Sequence, residues 1–245
     1  LGTRLRPLTD NISKPMIPVV NKPIMEHVIE LLASQDIRDL IVNLHYEPEI
    51  IRQYFADGSK WGVNLTYSYE KCLLGTAGGL KKVKDFFDDR TFIVFSGDLL
   101  TDIQLGPLVD FHKKRGALAT IALTKVEDPS KYGVVKTDKY GRIIAFQEKP
   151  SREEAVSNLI SCGIYIFEPE IFDFIPAGKS YDFGKELFPF LFEKGERLYG
   201  FEHCDYWKDI GGLETYLSGN FDALTGRVRV KIPGSMISDS IWVGE

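Results

Sequence analysis

Between residues 24 and 126 the hydrophobic period of the chain switches repeatedly, from helical spacing to short apolar runs and back. Ile24, Met25, Val28, Ile29, Leu31 and Leu32 lie on a helical repeat over 24–33, with Pro23 at its first turn. A β-branched run follows at 39–44, then an amphipathic segment at 48–55 and a second strand at 63–69. After a glycine-rich turn the pattern predicts a helix over 77–87, a fully buried strand over 91–95, a helix over 104–114 and a strand over 118–126. Such alternation leads to an α/β fold with a mainly parallel sheet flanked by helices, in which ligands bind at the carboxyl ends of the strands.

Beyond Asp128 the chain becomes strand-rich. Strands at 133–137 and 143–147 flank the turn residues Asp138-Lys139-Tyr140-Gly141, a hairpin that extends the sheet. A strand at 161–167, a helix at 183–193, a strand at 197–202 and a helix at 212–224 complete the main domain, residues 1–225. A length of 245 residues, 44% of them hydrophobic, suffices for one such domain with a short tail. The net charge of −5 argues against a nucleic-acid coat, so any anion site must be built locally. Cys72, Cys162 and Cys204 have no metal-like spacing and read as free thiols of a reducing compartment, which makes the cytoplasm the expected location. No apolar run approaches the roughly 20 residues of a membrane span, so no membrane partner is expected.

Several residues carry chemistry, each with a plainer role beside it. In Leu1-Gly2-Thr3-Arg4-Leu5-Arg6-Pro7, a glycine lets backbone N–H groups approach an anion while guanidinium groups close over it; the plainer role is a solvated basic arm. Lys14 lies between Ser13 and Pro15, and the proline pushes it towards extended geometry. Gly75-Thr76-Ala77-Gly78 stands between a strand and a helix, as a nucleotide contact or simply a glycine turn. The apolar run Phe92-Ile93-Val94-Phe95-Ser96-Gly97 delivers Asp98 at its carboxyl end, suited to a hard cation or to a turn. Asp209 alone would cap the helix after Gly212, Asp102 reads as structural, and Glu148-Lys149 as a solvated strand end. His27, His45, His112 and His203 show no metal spacing and read as structural or exposed, and no Gly-x-Ser-x-Gly elbow or HExxH helix occurs.

Taken together, Gly-Thr-Arg-Leu-Arg-Pro, Lys14-Pro15, Pro18-Val19 and Asn21-Lys22-Pro23-Ile24 resemble the signature of the sugar-phosphate nucleotidylyltransferases. In that family a hydrophobic strand and further glycines precede the signature, so this sequence is expected to begin inside the motif. The resemblance implies a Rossmann-like fold of the nucleotide-diphospho-sugar transferase type. It implies that Arg4 and Lys14 act on the phosphates, that Leu1, Gly2, Thr3, Gly75, Thr76 and Gly97 bind the nucleotide, and that Gly133, Glu148, Lys149 and Gly163 bind the sugar phosphate. Tyr206-Trp207-Lys208-Asp209-Ile210-Gly211 resembles the family's Trp-x-Asp-x-Gly motif, which makes Asp209 and Asp98 the ligands of Mg2+. Residues 226–245, with Ile232-Pro233-Gly234, Ile237, Ile241 and Val243, resemble the start of a left-handed β-helix of hexapeptide repeats, a solenoid that needs more chain and hints at a homo-oligomer.

The activity implied is transfer of a nucleoside monophosphate to a sugar 1-phosphate, with release of pyrophosphate. The form Gly-Thr-Ala-Gly resembles the members that use GTP and mannose 1-phosphate, and the alternatives are thymidylyl or uridylyl transfer to glucose 1-phosphate. From another class, a nucleotide-sugar-binding regulatory subunit without turnover should have lost one of Arg4, Lys14, Asp98 or Asp209, and all four are present.

Overall fold

The computed structural model describes residues 3–244. In chain order its strands and helices are β1 (Pro18–Val19), β2 (Lys22–Pro23), α1 (Ile24–Ser34), β3 (Asp39–Leu44), α2 (Pro48–Phe55), β4 (Asn64–Tyr69), α3 (Gly75–Lys82), β5 (Phe92–Phe95), β6 (Leu99–Thr101), α4 (Leu105–Arg115) and β7 (Ala119–Lys125). There follow β8 (Gly133–Thr137), β9 (Ile143–Glu148), β10 (Leu159–Phe167), α5 (Phe188–Glu193), β11 (Leu198–Glu202), β12 (Trp207–Asp209), α6 (Leu213–Leu224), β13 (Ser235–Ser238) and β14 (Ile241–Val243). The chain divides into two compact units, one of Leu1–Tyr69, Gly97–Ile103 and Asp205–Glu245, the other of Glu70–Ser96 and Gln104–Cys204. No helix among the described residues is long and apolar enough to cross a membrane.

In the first unit, α1 buries Met25, Ile29 and Ala33 against Leu44 of β3, Ile51 and Phe55 of α2 and Leu65 of β4. Removing such side chains from water is the main stabilising contribution, about 1.5–3 kcal/mol for each fully buried one. β3 and β4 run parallel, in register from Asp39 opposite Asn64 to Leu44 opposite Tyr69. A second cluster joins Leu5, Ile17, Val19 and Ile24 to Leu100 of β6, Ile210 and Ala223 of α6. β6 and β12 pair antiparallel over three residues, Leu99 opposite Asp209 and Thr101 opposite Trp207.

The second unit holds a six-stranded mixed sheet in the order β11-β7-β10-β8-β9, with β5 also on β10. β11 is parallel to β7, whereas β10 is antiparallel to β7, β8 and β5. The α/β class and the flanking helices are as the pattern predicts, but the parallel share is smaller than alternation suggests. Periodicity identifies elements without fixing strand direction, and the long β10 reverses the chain beside three neighbours. Its edge is shared in turn: Ile160 meets Val134 of β8, and Ile164 to Phe167 meet β5.

Three local expectations need correction. Only Phe92 of β5 is buried, its other residues being half-buried. The helix expected over 77–87 is α3 followed by a separate 3-10 turn, Lys84–Phe87. The helix expected over 183–193 opens with a π-type turn, Phe183–Leu187, because Pro189 lacks the N–H that a regular helix would use and a wider turn bypasses it. The hairpin at 133–148 forms as predicted. At the carboxyl end β13 and β14 make one antiparallel ribbon with Met236, Ile237, Ile241 and Val243 exposed. A coil of a β-helix is recognised by pairing with the next coil, and a single ribbon establishes no solenoid.

Candidate active site

The β6–β12 ladder assembles the carboxylates. Because Asp209 pairs with Leu99, the residue before Leu99 lies beside the end of β12, and Ile210 N–H donates to Asp98 carbonyl oxygen at 3.3 Å. Two aspartates far apart in sequence thus reach one cation: Lys14 Nζ donates to Asp209 Oδ1 at 2.9 Å and also to Asp98 Oδ2. Lys14 opens a 3-10 turn, Lys14–Met16, after an extended Ser13, the geometry that Pro15 favours. Its side chain is 17% exposed, against 29% for Asp98 and 24% for Asp209. Burial works against the charge of Lys14, but the two carboxylates outweigh it and raise its pKa above the ordinary lysine value. The ammonium is therefore fully charged at neutral pH.

Arg4 belongs to the same cluster. A Cβ built on Gly211 would stand 2.7 Å from Asp209 Oδ2 and 3.2 Å from Arg4 Nη2, so guanidinium and carboxylate both crowd this one glycine. Gly97 faces Pro15, whose Cγ would be 3.9 Å from an added Cβ. Hard oxygen donors converging on one point suit a divalent cation, which takes its other ligands from phosphate and water. Among the described residues no group of three or more His, Cys, Asp or Glu side chains is placed to hold a metal, so the pair Asp98 and Asp209 would depend on substrate oxygens to complete a shell.

In the second unit, the Gly-Thr-Ala-Gly loop opens α3 and is packed against Tyr181. Gly75 has φ +72°, and a Cβ there would lie 2.5 Å from Tyr181 carbonyl oxygen, so only glycine fits. The N–H groups of Ala77 and Gly78 donate to that carbonyl at 2.9 and 3.0 Å. Thr76 Oγ1 donates to Asp182 Oδ2 at 3.0 Å and accepts from Phe183 N–H at 2.8 Å. Asp182 also caps the following turn, accepting from Gly184 and Lys185 N–H.

Glu148, at the end of β9, pairs with Gly133, and its Oε2 would be 3.2 Å from a Cβ on Gly133 and 2.5 Å from one on Gly184. Both glycines make room for the carboxylate. Lys149 has a left-handed φ of +49° and is held by its N–H to Tyr132 carbonyl oxygen, which leaves its side chain 59% exposed with Nζ 3.6 Å from Glu148 Oε1. Gly163, φ +73°, sits at the register break of β10, its carbonyl accepting from Ser96 N–H at 2.9 Å.

The structure thus gathers Arg4, Lys14, Asp98 and Asp209 in one unit, with Gly97 close by. It sets Gly75 and Thr76 in the loop and Gly133 beside Glu148 and Lys149 in the other. Thr3 lies in a 3-10 turn with Arg4, and Leu1 and Gly2 fall outside the described residues. Sequence reasoning missed Gly184 and Asp182, and quoted Gly211 as the glycine of the Trp-x-Asp-x-Gly motif without giving it a role; for Asp182 the signal was present, an aspartate immediately before an apolar helical run. His112, buried between Thr120 and Glu168, and Asp102, accepting from Tyr206 N–H and Arg229, are structural as expected.

A sequence model of the family described as Nucleotidyl transferase matches residues 1–226. A UTP–glucose-1-phosphate uridylyltransferase of Synechocystis is 43% identical across 99% of this chain, and a mannose-1-phosphate guanylyltransferase of Mycobacterium tuberculosis is 37% identical across 92%. The chain spans 66% and 62% of the lengths of these two relatives. Among solved structures, a Bacillus anthracis protein described as a glucose-1-phosphate thymidylyltransferase shares the fold with a TM-score of 0.82, at 24% identity, over 94% of this chain and 93% of that one.

Proposed function

The chain belongs to the nucleotidyl transferase family, and from that premise we propose that it transfers a nucleoside monophosphate from a nucleoside triphosphate to a sugar 1-phosphate, releasing pyrophosphate. The observation that carries this is the meeting of Lys14 Nζ with Asp98 and Asp209, with Arg4 beside Asp209. A binding subunit without turnover would have no need to keep all four.

A sugar 1-phosphate is ionised at neutral pH, and its oxygen attacks the α-phosphorus without a general base. The obstacle is repulsion between anions, which fixed cationic groups relieve while holding the reactants in line. In this proposal Lys14 bridges the α-phosphate and the attacking phosphate, and Arg4 holds the departing pyrophosphate. Lys149 positions the sugar phosphate, Glu148 accepts sugar hydroxyls, Gly133 belongs to the same sugar-phosphate site, and Gly163 lies on the strand against the ring. Gly75, Thr76 and Gly97 flank the nucleotide. Mg2+ held by Asp98 and Asp209 would supply further charge neutralisation at the α-phosphate oxygens.

The substrate pair proposed is GTP with mannose 1-phosphate, giving GDP-mannose, supported by the Gly-Thr-Ala-Gly form and the guanylyltransferase relative. UTP with glucose 1-phosphate is the second reading, favoured by the Synechocystis relative. Pyrophosphate release measured over GTP, UTP, dTTP and ATP, each with mannose, glucose and galactose 1-phosphates, decides between them. Release with no combination would refute the proposed activity.

A further inference from the structure

Asp209 is one of three residues in β12, and three ladder residues alone hold a strand weakly. What fixes it lies on the opposite face. Side chains alternate along a strand, so Tyr206 and Lys208 share one face and Asp209 takes the other. Tyr206 and Lys208 are both anchored to one carboxylate of α6: Tyr206 Oη donates to Asp222 Oδ2 at 2.8 Å, and Lys208 Nζ donates to the same oxygen. Lys208 Nζ also donates to Ser218 Oγ at 3.0 Å, one helical turn from Asp222. Gly219 lets the helix lie this close, since a Cβ there would stand 2.8 Å from Ile210 Cδ1. Asp222 is largely buried and satisfied a third time by Arg227 Nη1 at 3.1 Å.

We propose that Lys208, clamped by Asp222 and Ser218 of α6, is a positioning residue that orients the Asp209 carboxylate for a divalent cation. The inference rests on the metal reading of Asp98 and Asp209. A register or twist change in β12 would carry Asp209 away from Asp98, because the β6–β12 pairing sets the backbone positions from which the two carboxylates reach Lys14. Lys208 itself touches neither phosphate nor metal in this proposal; it acts through the strand.

The test is Mn2+ alone, titrated into the protein and followed by electron paramagnetic resonance of the free ion, with thermal melting alongside. Lys208→Met keeps the apolar stem, and Arg227 and Tyr206 still donate to Asp222, so the fold is expected to be retained. Losses of outer-shell partners of metal ligands run at about 10- to 100-fold in affinity. Lys208→Met is expected to weaken Mn2+ at least tenfold, and Lys208→Arg to restore most of it. Asp222→Asn, which preserves shape, is expected to weaken Mn2+ in the same direction and carries the test should Lys208→Met not fold. A wild-type protein that binds Mn2+ while Lys208→Met binds it equally well would overturn the inference alone. A wild-type protein no better than Asp209→Asn would overturn the metal reading and the inference with it.

Discussion

Replacing Gly211 by alanine adds one methyl group at the glycine on which Asp209 and Arg4 converge. That methyl would stand 2.7 Å from Asp209 Oδ2, 3.3 Å from Asp209 Cγ and 3.2 Å from Arg4 Nη2. Ordinary non-bonded contact begins near about 3.5 Å, so the carboxylate must retreat by roughly 0.8 Å. The 2.9 Å bond from Lys14 Nζ to Asp209 Oδ1 would then lengthen out of hydrogen-bond range. Misplacing a reacting or orienting group by about 1 Å costs on the order of 10²-fold in rate, equivalent to about 2.7 kcal/mol. Folding should feel far less, since the group displaced is the end of a side chain that water can reach. A change below about 1 kcal/mol corresponds to a melting shift of no more than about 4 °C for a chain of this size. Gly212 provides the control: an added Cβ meets nothing within 4 Å, so Gly212→Ala should turn over normally. The assay is pyrophosphate release at saturating triphosphate and sugar 1-phosphate, with thermal melts of both variants. Turnover of Gly211→Ala within threefold of wild type, at an unchanged melting temperature, would refute the assignment of Asp209 and Arg4 to the reaction.

Lys14→Ala should lower turnover on the order of 10²- to 10³-fold, as removal of a preorganised charge-stabilising donor does, while the partly exposed Asp98 and Asp209 keep the melting temperature close to wild type. Near-normal turnover would remove Lys14 from the mechanism. Glu148→Gln fits the same space between Gly133 and Gly184 but loses the charged acceptor, so the KM for sugar 1-phosphate should rise about tenfold with that for triphosphate unchanged; equal rises in both would count against a sugar-binding role. Burial holds the His27 pKa below its ordinary value, against the raising effect of its bond to Val19 carbonyl oxygen, with Lys22, Glu26 and Glu30 also facing it. The unfolded chain then takes up the proton first, so stability is present above about pH 6.5 and is lost as pH falls through the folded-state value. Melting temperature should drop between pH 7 and pH 5, and His27→Gln should flatten that slope; an unchanged slope would show that other groups set it.

Elements with a strong period were legible. The apolar repeat of α1 and the β-branched run of β3 announce themselves because each buries one face against α2 and β4 close by in the chain. Strand direction was not, since β10 draws its neighbours from residues 92 to 137 and nothing in its own composition says which side they approach. At the site, Lys14, Asp98 and Asp209 were found through the resemblance, whereas composition and spacing left each with a plainer role. The structure adds why they meet. The glycine-rich loop was the reverse case: its glycines were visible, but Tyr181 as the partner that requires them lies a hundred residues further on, where sequence gives no pairing signal.

A reaction opposed chiefly by repulsion between anions benefits only from charges that are in place before the reactants arrive, because a group that must reorganise spends binding energy on its own ordering. The β6–β12 ladder is too short to supply such rigidity through backbone bonds alone. It is held from two sides: Lys14 closes the end where the carboxylates converge, and α6 grips the opposite face through Asp222. Each anchor pairs opposite charges in a partly buried setting, where the attraction is less screened than at an open surface. Either carboxylate of the pair would repel the other were Lys14 removed, so the same side chain that is proposed to meet phosphate also keeps the cation ligands together. That double duty makes the effect of Lys14→Ala on turnover an upper bound on its direct contact with the reacting phosphates, and only cation affinity measured in the same variant separates the two.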